Sequence, residues 1–338
     1  MSTSEVPKFG YLQATSVNNA ISLLNKYGDQ ARIIGGATDV LTLMKNGVST
    51  LTPQYLIDIS ALNLDYVNFS QSDGLRIGAT TAVNTVAQNS DVISNYAALS
   101  QAAGSVASPH IRNQATIAGD VLQEVWCWYL RNAYPSCWRN GGNLCYAAEG
   151  GDNRYYHSIF GGNLCYGVHA GDIAPALFAL SAEATIAGPS GQRTVTMDQL
   201  IPGVSVVDGR VKENILSYNE LLTEFHIPVP TSGTKSAFYK VTDRGTFDFA
   251  LASAAVRATF SGSTISSISL VLGAVANKPL RATSAEQYLN GKTLSDTVIS
   301  SAADTALSGA TPLTEGTGNS FRVWLAKGAV KNALRAIS

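Results

Sequence analysis

Four cysteines, Cys127, Cys137, Cys145 and Cys165, fall within one short stretch of a 338-residue chain that contains no others. Cysteines used as small hydrophobes scatter across many elements. Such crowding points to one site and obliges the surrounding segment to bring four thiols together on loops. The spacing Cys127-x9-Cys137-x7-Cys145-x19-Cys165 lacks the CxxC pairs of structural zinc, and widely spaced single cysteines suit an iron–sulfur cluster better. On the residues alone zinc and a cluster both stay open, while a disulfide framework is a weak reading for a chain of this size with no secretory signal. The hexapeptide GGNLCY occurs at 141–146 and again at 161–166. Each copy sets a glycine turn before a thiol, and the turn's N–H groups are expected to bond to cluster sulfur. Trp126, Trp128 and Trp138 flank the cysteines and either shield such a centre or simply pack the insert.

The flanking chain reads as an ordinary globular protein of two or three subdomains. A formal net charge of −1, with no Lys/Arg run longer than a pair, excludes nucleic acid and anionic membranes as main partners. No stretch of eighteen uncharged apolar residues occurs, and the amino terminus lacks a basic region followed by an apolar run. The expectation is a soluble chain with no membrane span, in the cytoplasm, or in the periplasm if an exported partner carries it across. Charged residues make up only 14%, which fits faces buried against partner subunits and equally fits an extracellular or merely bland surface.

In chain order, Ser16 caps an amphipathic helix that Gly28 stops. ARIIGGATDVLTLMKNG (31–47) then reads as a strand, a glycine turn and an apolar segment. A strand feeding such a turn leaves several backbone N–H groups pointing one way, which is an anion nest. It is not a Rossmann fingerprint or a Walker A loop, because the third glycine and the GK[ST] are missing. Residues 54–59 and 74–80 alternate like strands, and one helix is expected from Thr81 by way of Asp91 towards Ala103. ATIAGD (115–120) then forms a second glycine turn. Two such loops about eighty residues apart fit a dinucleotide diphosphate held from both sides. Beyond Pro228 and Pro230, TSGTKS (231–236) reads as a linker into a separate α+β domain. Its last helix, Ser320 to Ile337, is expected to pack through Phe321, Trp324, Leu325, Ala329, Val330 and Leu334. His110, His157, His169 and His226 lack metal-ligand spacing, Asp243 and Arg244 look like a loop ion pair, and no hydrolytic constellation stands out.

Taken together, IGGATDVLTLMK (34–45), IRNQATIAGD (111–120), GDIAPALFALSAEATI (171–186), NELLTEFHIPVP (219–230), FYKVTDRGTFDFALASAAV (238–256) and LGAVANKPLRA (272–282) resemble the FAD-binding medium subunit of the molybdenum hydroxylases. That family includes xanthine dehydrogenase, carbon monoxide dehydrogenase and aldehyde oxidoreductase, and the likeness runs through nearly the whole chain in order. It implies an α+β fold with FAD-binding subdomains at 1–60 and 61–228 and a C-terminal domain at 232–338. It also implies FAD contacts at Ile34, Gly35, Gly36, Ala37, Thr38, Asp39 and Val40 in the first loop and at Arg112, Thr116, Gly119 and Asp120 in the second. Asp172 is implied near the ribose, Leu222 beside the flavin, and Lys240 near its ring. Two positions depart from the family pattern: Ala37 replaces an expected glycine, and Asp120 stands where asparagine is common. The Cys-rich insertion at about 121–170, with CWYLRNAYPSC, GGNLC and GDNRYYHSIFGGNLC, resembles the subset that carries an extra [4Fe–4S] cluster on Cys127, Cys137, Cys145 and Cys165. Bacterial aldehyde oxidoreductases are the nearer likeness. The resemblance further implies a large molybdenum-cofactor subunit, a small subunit with two [2Fe–2S] clusters, and an external acceptor of ferredoxin, NAD or quinone type. The competing readings are a stand-alone flavin oxidase and a zinc-stabilised binding or assembly protein.

Overall fold

The structure, a computed structural model, describes residues 5–48, 51–151, 154–162, 164–314 and 318–338. Asp152 and Asn153 of GDNRYYHS and Asn163 of the second GGNLCY lie outside the described residues.

The chain is an α+β fold built on three larger sheets. The first is parallel, in the order Gly10–Gln13, Tyr55–Asp58, Ala31–Ile34. The helix Val17–Tyr27 lies beside it and buries Ala20, Ile21 and Leu24. Its start and stop follow the sequence: Ser16 Oγ accepts the Asn19 N–H at 3.0 Å, and Gly28 closes the helix at φ 57°.

The second sheet is antiparallel, in the order Val67–Ser70, Gly74–Gly78, Leu221–Ile227, Glu183–Gly188, Gly191–Thr196. Short helices pack on it. The single helix expected from Thr81 to Ala103 is instead three, Val83–Gln88, Ser90–Asn95 and Ala97–Ser105. Asn89 causes the first break, because its backbone is extended and its side chain accepts from the Asp91 and Val92 N–H groups. A short amide that can cap the next turn competes with continuing the last one.

The third sheet, Thr234–Val241, Ala252–Ser261, Thr264–Gly273 and Leu280–Arg281, carries the helices Thr283–Leu289, Asp296–Ala306 and Phe321–Arg335. Its first strand begins at Thr234, inside the expected linker. The last helix buries Ala326, Ala329, Val330, Ala333 and Leu334, a face of small residues that lets it lie close on the sheet. Trp324, expected on that face, is 74% exposed, since it lies off the three- and four-residue spacing of the buried set. Arg244 pairs with Asp248 at 2.6 Å, the four-residue partner, and not with Asp243.

The Cys-rich insertion leaves and re-enters the rest of the fold at one place. Trp126 and Val168 exchange two backbone hydrogen bonds, of 2.8 and 3.1 Å, which close it into a loop. Inside it are a turn of helix at Trp128–Arg131 and a 3₁₀ turn at Trp138–Asn140.

Candidate functional site

A cleft runs between the first two sheets where the parallel strand Ala31–Ile34 ends, the edge at which α/β sheets commonly place ligands. It has two chambers, of about 240 Å³ and 410 Å³, that share Thr38, Asp39, Gly119 and Gln123 as walls. Of the residues expected to touch a flavin, Ile34, Gly35, Gly36, Ala37, Thr38, Asp39, Val40, Thr116, Gly119 and Leu222 line the smaller chamber. Asp120, Asp172 and Lys240 line the larger. Arg112 lines neither: its guanidinium donates to the Val106 and Ala107 carbonyls, both at 2.8 Å, bracing the bend where Ala107 has φ 36°.

The two loops differ in what they offer an anion. Among the described residues, the backbone N–H groups of Gly35 through Val40 find no hydrogen-bond acceptor. Six unpaired donors in a partly buried loop are unusual and form the nest that a diphosphate would fill. The second loop is no glycine turn. It is the start of the helix Ile117–Leu122, capped by Thr116, and its first N–H groups are already spent: Ile117 donates to Thr81 O, Ala118 to Ala79 O and Gly119 to Thr116 Oγ1. It therefore braces the first loop. Gly36 must lack a side chain because a Cβ there would stand 2.7 Å from the Gln114 carbonyl carbon and 2.9 Å from Ala115 Cα. The left-handed residue of the loop is Ala37, at φ 57°. A methyl group in that conformation strains the backbone by about 1 kcal/mol.

Asp39 does not present a free carboxylate to the cleft. Its Oδ1 accepts from Arg131 Nη1 and its Oδ2 from the Glu124 N–H, each at 2.9 Å. Asp120 also faces inward. Its Oδ2 accepts the Ile173 N–H at 3.0 Å, tying the helix Ile117–Leu122 to the helix Ile173–Ala179. Burial, and then the neighbouring Asp172 charge, push its pKa up to about 7. The charge expected near phosphate is thus weakened by its surroundings, which favour the protonated form. Lys240 Nζ donates to Asp172 Oδ2 at 2.6 Å and to the Ser105 carbonyl at 3.0 Å, so it reaches the larger chamber as half of a buried ion pair. Burial raises the Asp172 pKa, and Lys240 opposes that rise.

The four cysteines are free thiols gathered beside this cleft. Cys127, Cys137 and Cys165 are buried in one apolar cluster with Leu43, Val48, Val125, Leu130 and Ala147, and the half-buried Cys145 packs against it. Polar groups reach the cysteine sulfurs from three residues. Gly167 N–H and Arg139 Nε meet Cys165 Sγ at 3.3 and 3.4 Å, and His157 Nε2 lies 3.2 Å from Cys127 Sγ. Arg139 is buried and paired with Glu124 at 2.8 Å and with Glu213. Burial raises the Cys127, Cys137 and Cys165 thiol pKa values, so these groups stay protonated unless a cation draws off their protons. Burial also lowers His157 to about 4, leaving a neutral imidazole whose Nδ1 has no partner among the described residues. Among the described residues, no three His, Cys, Asp or Glu side chains converge closely enough to hold a single metal ion.

Reading the sequence missed Gln123, Glu124 and Arg131 in the cleft walls, and Trp126 stacked on Phe249 at 5.6 Å in the larger chamber. Trp128 and Trp138 are 40% and 36% exposed.

A cleft with an anion nest at a parallel strand's end and an aromatic-walled second chamber, beside a C-terminal antiparallel sheet, suits a dinucleotide-binding flavoprotein. The sequence pattern of the FAD binding domain in molybdopterin dehydrogenase matches residues 7–230, and that of the CO dehydrogenase flavoprotein C-terminal domain matches residues 237–337. The chain belongs to this family of FAD-binding oxidoreductase subunits. It is 33% identical over 311 residues to the aldehyde oxidoreductase FAD-binding subunit PaoB of Escherichia coli K12, covering 90% of each chain. It is 28% identical to the carbon monoxide dehydrogenase medium chain of Hydrogenophaga pseudoflava, covering 98% and 97% of the two chains. The solved structure of carbon monoxide dehydrogenase from that organism, lacking the Mo-pyranopterin moiety, superposes with a TM-score of 0.76 at 27% identity, covering 98% of both chains. Among the described residues, no helix is long and apolar enough to cross a membrane.

Proposed function

We propose that this chain is the electron-transfer flavoprotein subunit of a molybdenum-cofactor hydroxylase acting on an aldehyde or N-heterocycle. Its units would be 1–60 and 61–228 around the flavin and 232–338 behind it. In this reading FAD lies in the two-chambered cleft, and a [4Fe–4S] cluster sits on Cys127, Cys137, Cys145 and Cys165. Electrons arrive from a small subunit with two [2Fe–2S] clusters, and a large subunit carries the molybdenum cofactor. They leave to an external acceptor of ferredoxin, NAD or quinone type. The observation that carries the proposal is the pairing of six unspent N–H groups in the cleft with four thiols packed on its wall.

FAD, when bound, supplies two-electron redox chemistry at its ring. The chain's residues do the rest. The Gly35–Val40 nest holds the diphosphate, and Thr116 and Gln114 hold the nest in place. Trp126 and Phe249 offer an aromatic wall to the ring and keep water from it. Lys240, fixed by Asp172, sets the charge beside it. Arg139, Gly167 and His157 aim polar groups at cysteine sulfur, as the surroundings of cluster ligands do, and this supports the cluster reading. The names of the relatives, among them an aldehyde oxidoreductase, support the aldehyde end of the substrate range.

The test is the absorption spectrum of the anaerobically purified chain, before and after dithionite, with iron, zinc and released flavin quantified on the same sample. Flavin bands over a broad absorbance near 400 nm, with about four irons per chain, support the proposal. Flavin with zinc makes the insertion structural, and folded protein with neither chromophore overturns the redox reading.

A further inference from the structure

Arg131 bonds both the diphosphate loop and the segment bearing the cysteines. It is 7% exposed. Its Nη1 holds Asp39 Oδ1 at 2.9 Å, its Nη2 the Glu124 carbonyl at 2.6 Å and its Nε the Val125 carbonyl at 3.1 Å. Its backbone N–H closes on the Cys127 carbonyl at 3.0 Å, so the same turn that begins at a thiol ends at the guanidinium. Asp39 returns a second bond to the segment through the Glu124 N–H. A second link is apolar: Leu43, on the helix Val40–Lys45 that the loop feeds, shares one buried cluster with Cys127, Cys137 and Cys165.

We infer that the flavin cleft and the four-cysteine centre are thermodynamically coupled through Arg131, so that filling either one tightens the other. The inference rests on the proposed FAD and [4Fe–4S] reading. Without a cluster nothing bonds the four free thiols to one another, so the turn beginning at Cys127 is held less firmly. A shift there must either move the Asp39 loop or break a largely buried ion pair, and removing one partner of such a pair is strongly unfavourable. The loop donates the six N–H groups of the nest, so flavin affinity follows its position. By linkage the effect is reciprocal: bound flavin fixes Asp39, Asp39 fixes Arg131, and Arg131 fixes the turn beginning at Cys127.

The experiment is a titration of the full-length chain with FAD, followed by quenching of flavin fluorescence. One sample is iron-loaded anaerobically and the other stripped with a chelator. The expected result is at least about a tenfold tighter Kd in the loaded protein, within the usual range of coupling between sites. In Arg131→Gln, and independently in Asp39→Asn, the ratio of the two Kd values falls towards one, whatever the variant does to Kd itself. Saturating FAD is expected to slow iron loss to the chelator in the unaltered chain and not in either variant. Equal Kd values with and without iron in the unaltered chain overturn the coupling. A ratio that survives in both variants overturns the role of Arg131. Protein that binds FAD but takes up no iron overturns the cluster reading and the coupling with it; protein that takes up iron but binds no FAD overturns the flavin reading instead.

Discussion

Replacing Asp120 with asparagine should make the protein more stable, and increasingly so as pH rises. The carboxyl is 4% exposed, and burial followed by the Asp172 charge lifts its pKa from 3.8 to about 7. In the unfolded chain it ionises near its ordinary value, so the folded state binds this proton more tightly. Its effect on stability is neutral below pH 3.8, turns progressively unfavourable as pH rises towards 7, and is constant above that. At about 1.4 kcal/mol per pKa unit, a shift of roughly three units sets a ceiling of about 4 kcal/mol. Between pH 5 and pH 8 the part still to be gained is about 2 to 3 kcal/mol. Asparagine keeps an oxygen for the Ile173 N–H and never ionises, so its curve should lack this slope. Asp172 and Lys240 are the charged groups that face Asp120, and both remain in the variant. Urea unfolding of the FAD-saturated chain at the two pH values measures the difference directly. Parallel pH dependences for the two proteins would refute the reasoning, as would an asparagine variant that loses ground at pH 8.

Gly36→Ala drives a Cβ into the backbone at Gln114 and Ala115, so it should separate the two loops and weaken FAD binding by at least about a hundredfold, roughly 3 kcal/mol; the flavin titration reads it. Lys240→Met leaves the buried Asp172 carboxylate unpaired and should cost about 3–5 kcal/mol at pH 8, with Asp172→Asn added in the same chain restoring most of it in urea unfolding. Ala37→Gly relieves a left-handed alanine and should raise stability by roughly 0.5–1 kcal/mol while leaving the FAD Kd unchanged or tighter.

The sequence showed where the first loop would lie and that it would offer unpaired N–H groups, but not what makes its glycines necessary. Gly-Gly after an apolar strand marked the first loop, but neither glycine is there for a positive φ. Gly36 is needed because Gln114 passes beside it, a reason that lies 78 positions away and leaves no local pattern. ATIAGD looked like a matching turn because it holds a glycine, whereas Thr116, a capping residue three positions before that glycine, signalled a helix start. The ionic partners were invisible for the same reason of distance. Arg131 finds Asp39 and Arg139 finds Glu213, and nothing in the local composition distinguishes these arginines from surface ones. The thiols were legible because four of one rare residue crowd together. Their donors were not, since Arg139 and Gly167 follow cysteines instead of preceding them.

That same wiring explains how the fold tolerates so long an insertion. A loop costs little entropy when its ends already meet, and here Trp126 and Val168 are hydrogen-bonded neighbours between two helices that pack together in any case. Closure alone would leave a dangling flap with three arginines, Arg131, Arg139 and Arg154, to solvate. Arg131 and Arg139 are instead buried, and acids outside the flap, Asp39 and Glu213, compensate them. Burying a cation without such partners would be prohibitive, so the flap can dock only in the register that supplies both. The first of those acids belongs to the flavin loop. The requirement that docks the insertion thus also fixes the loop.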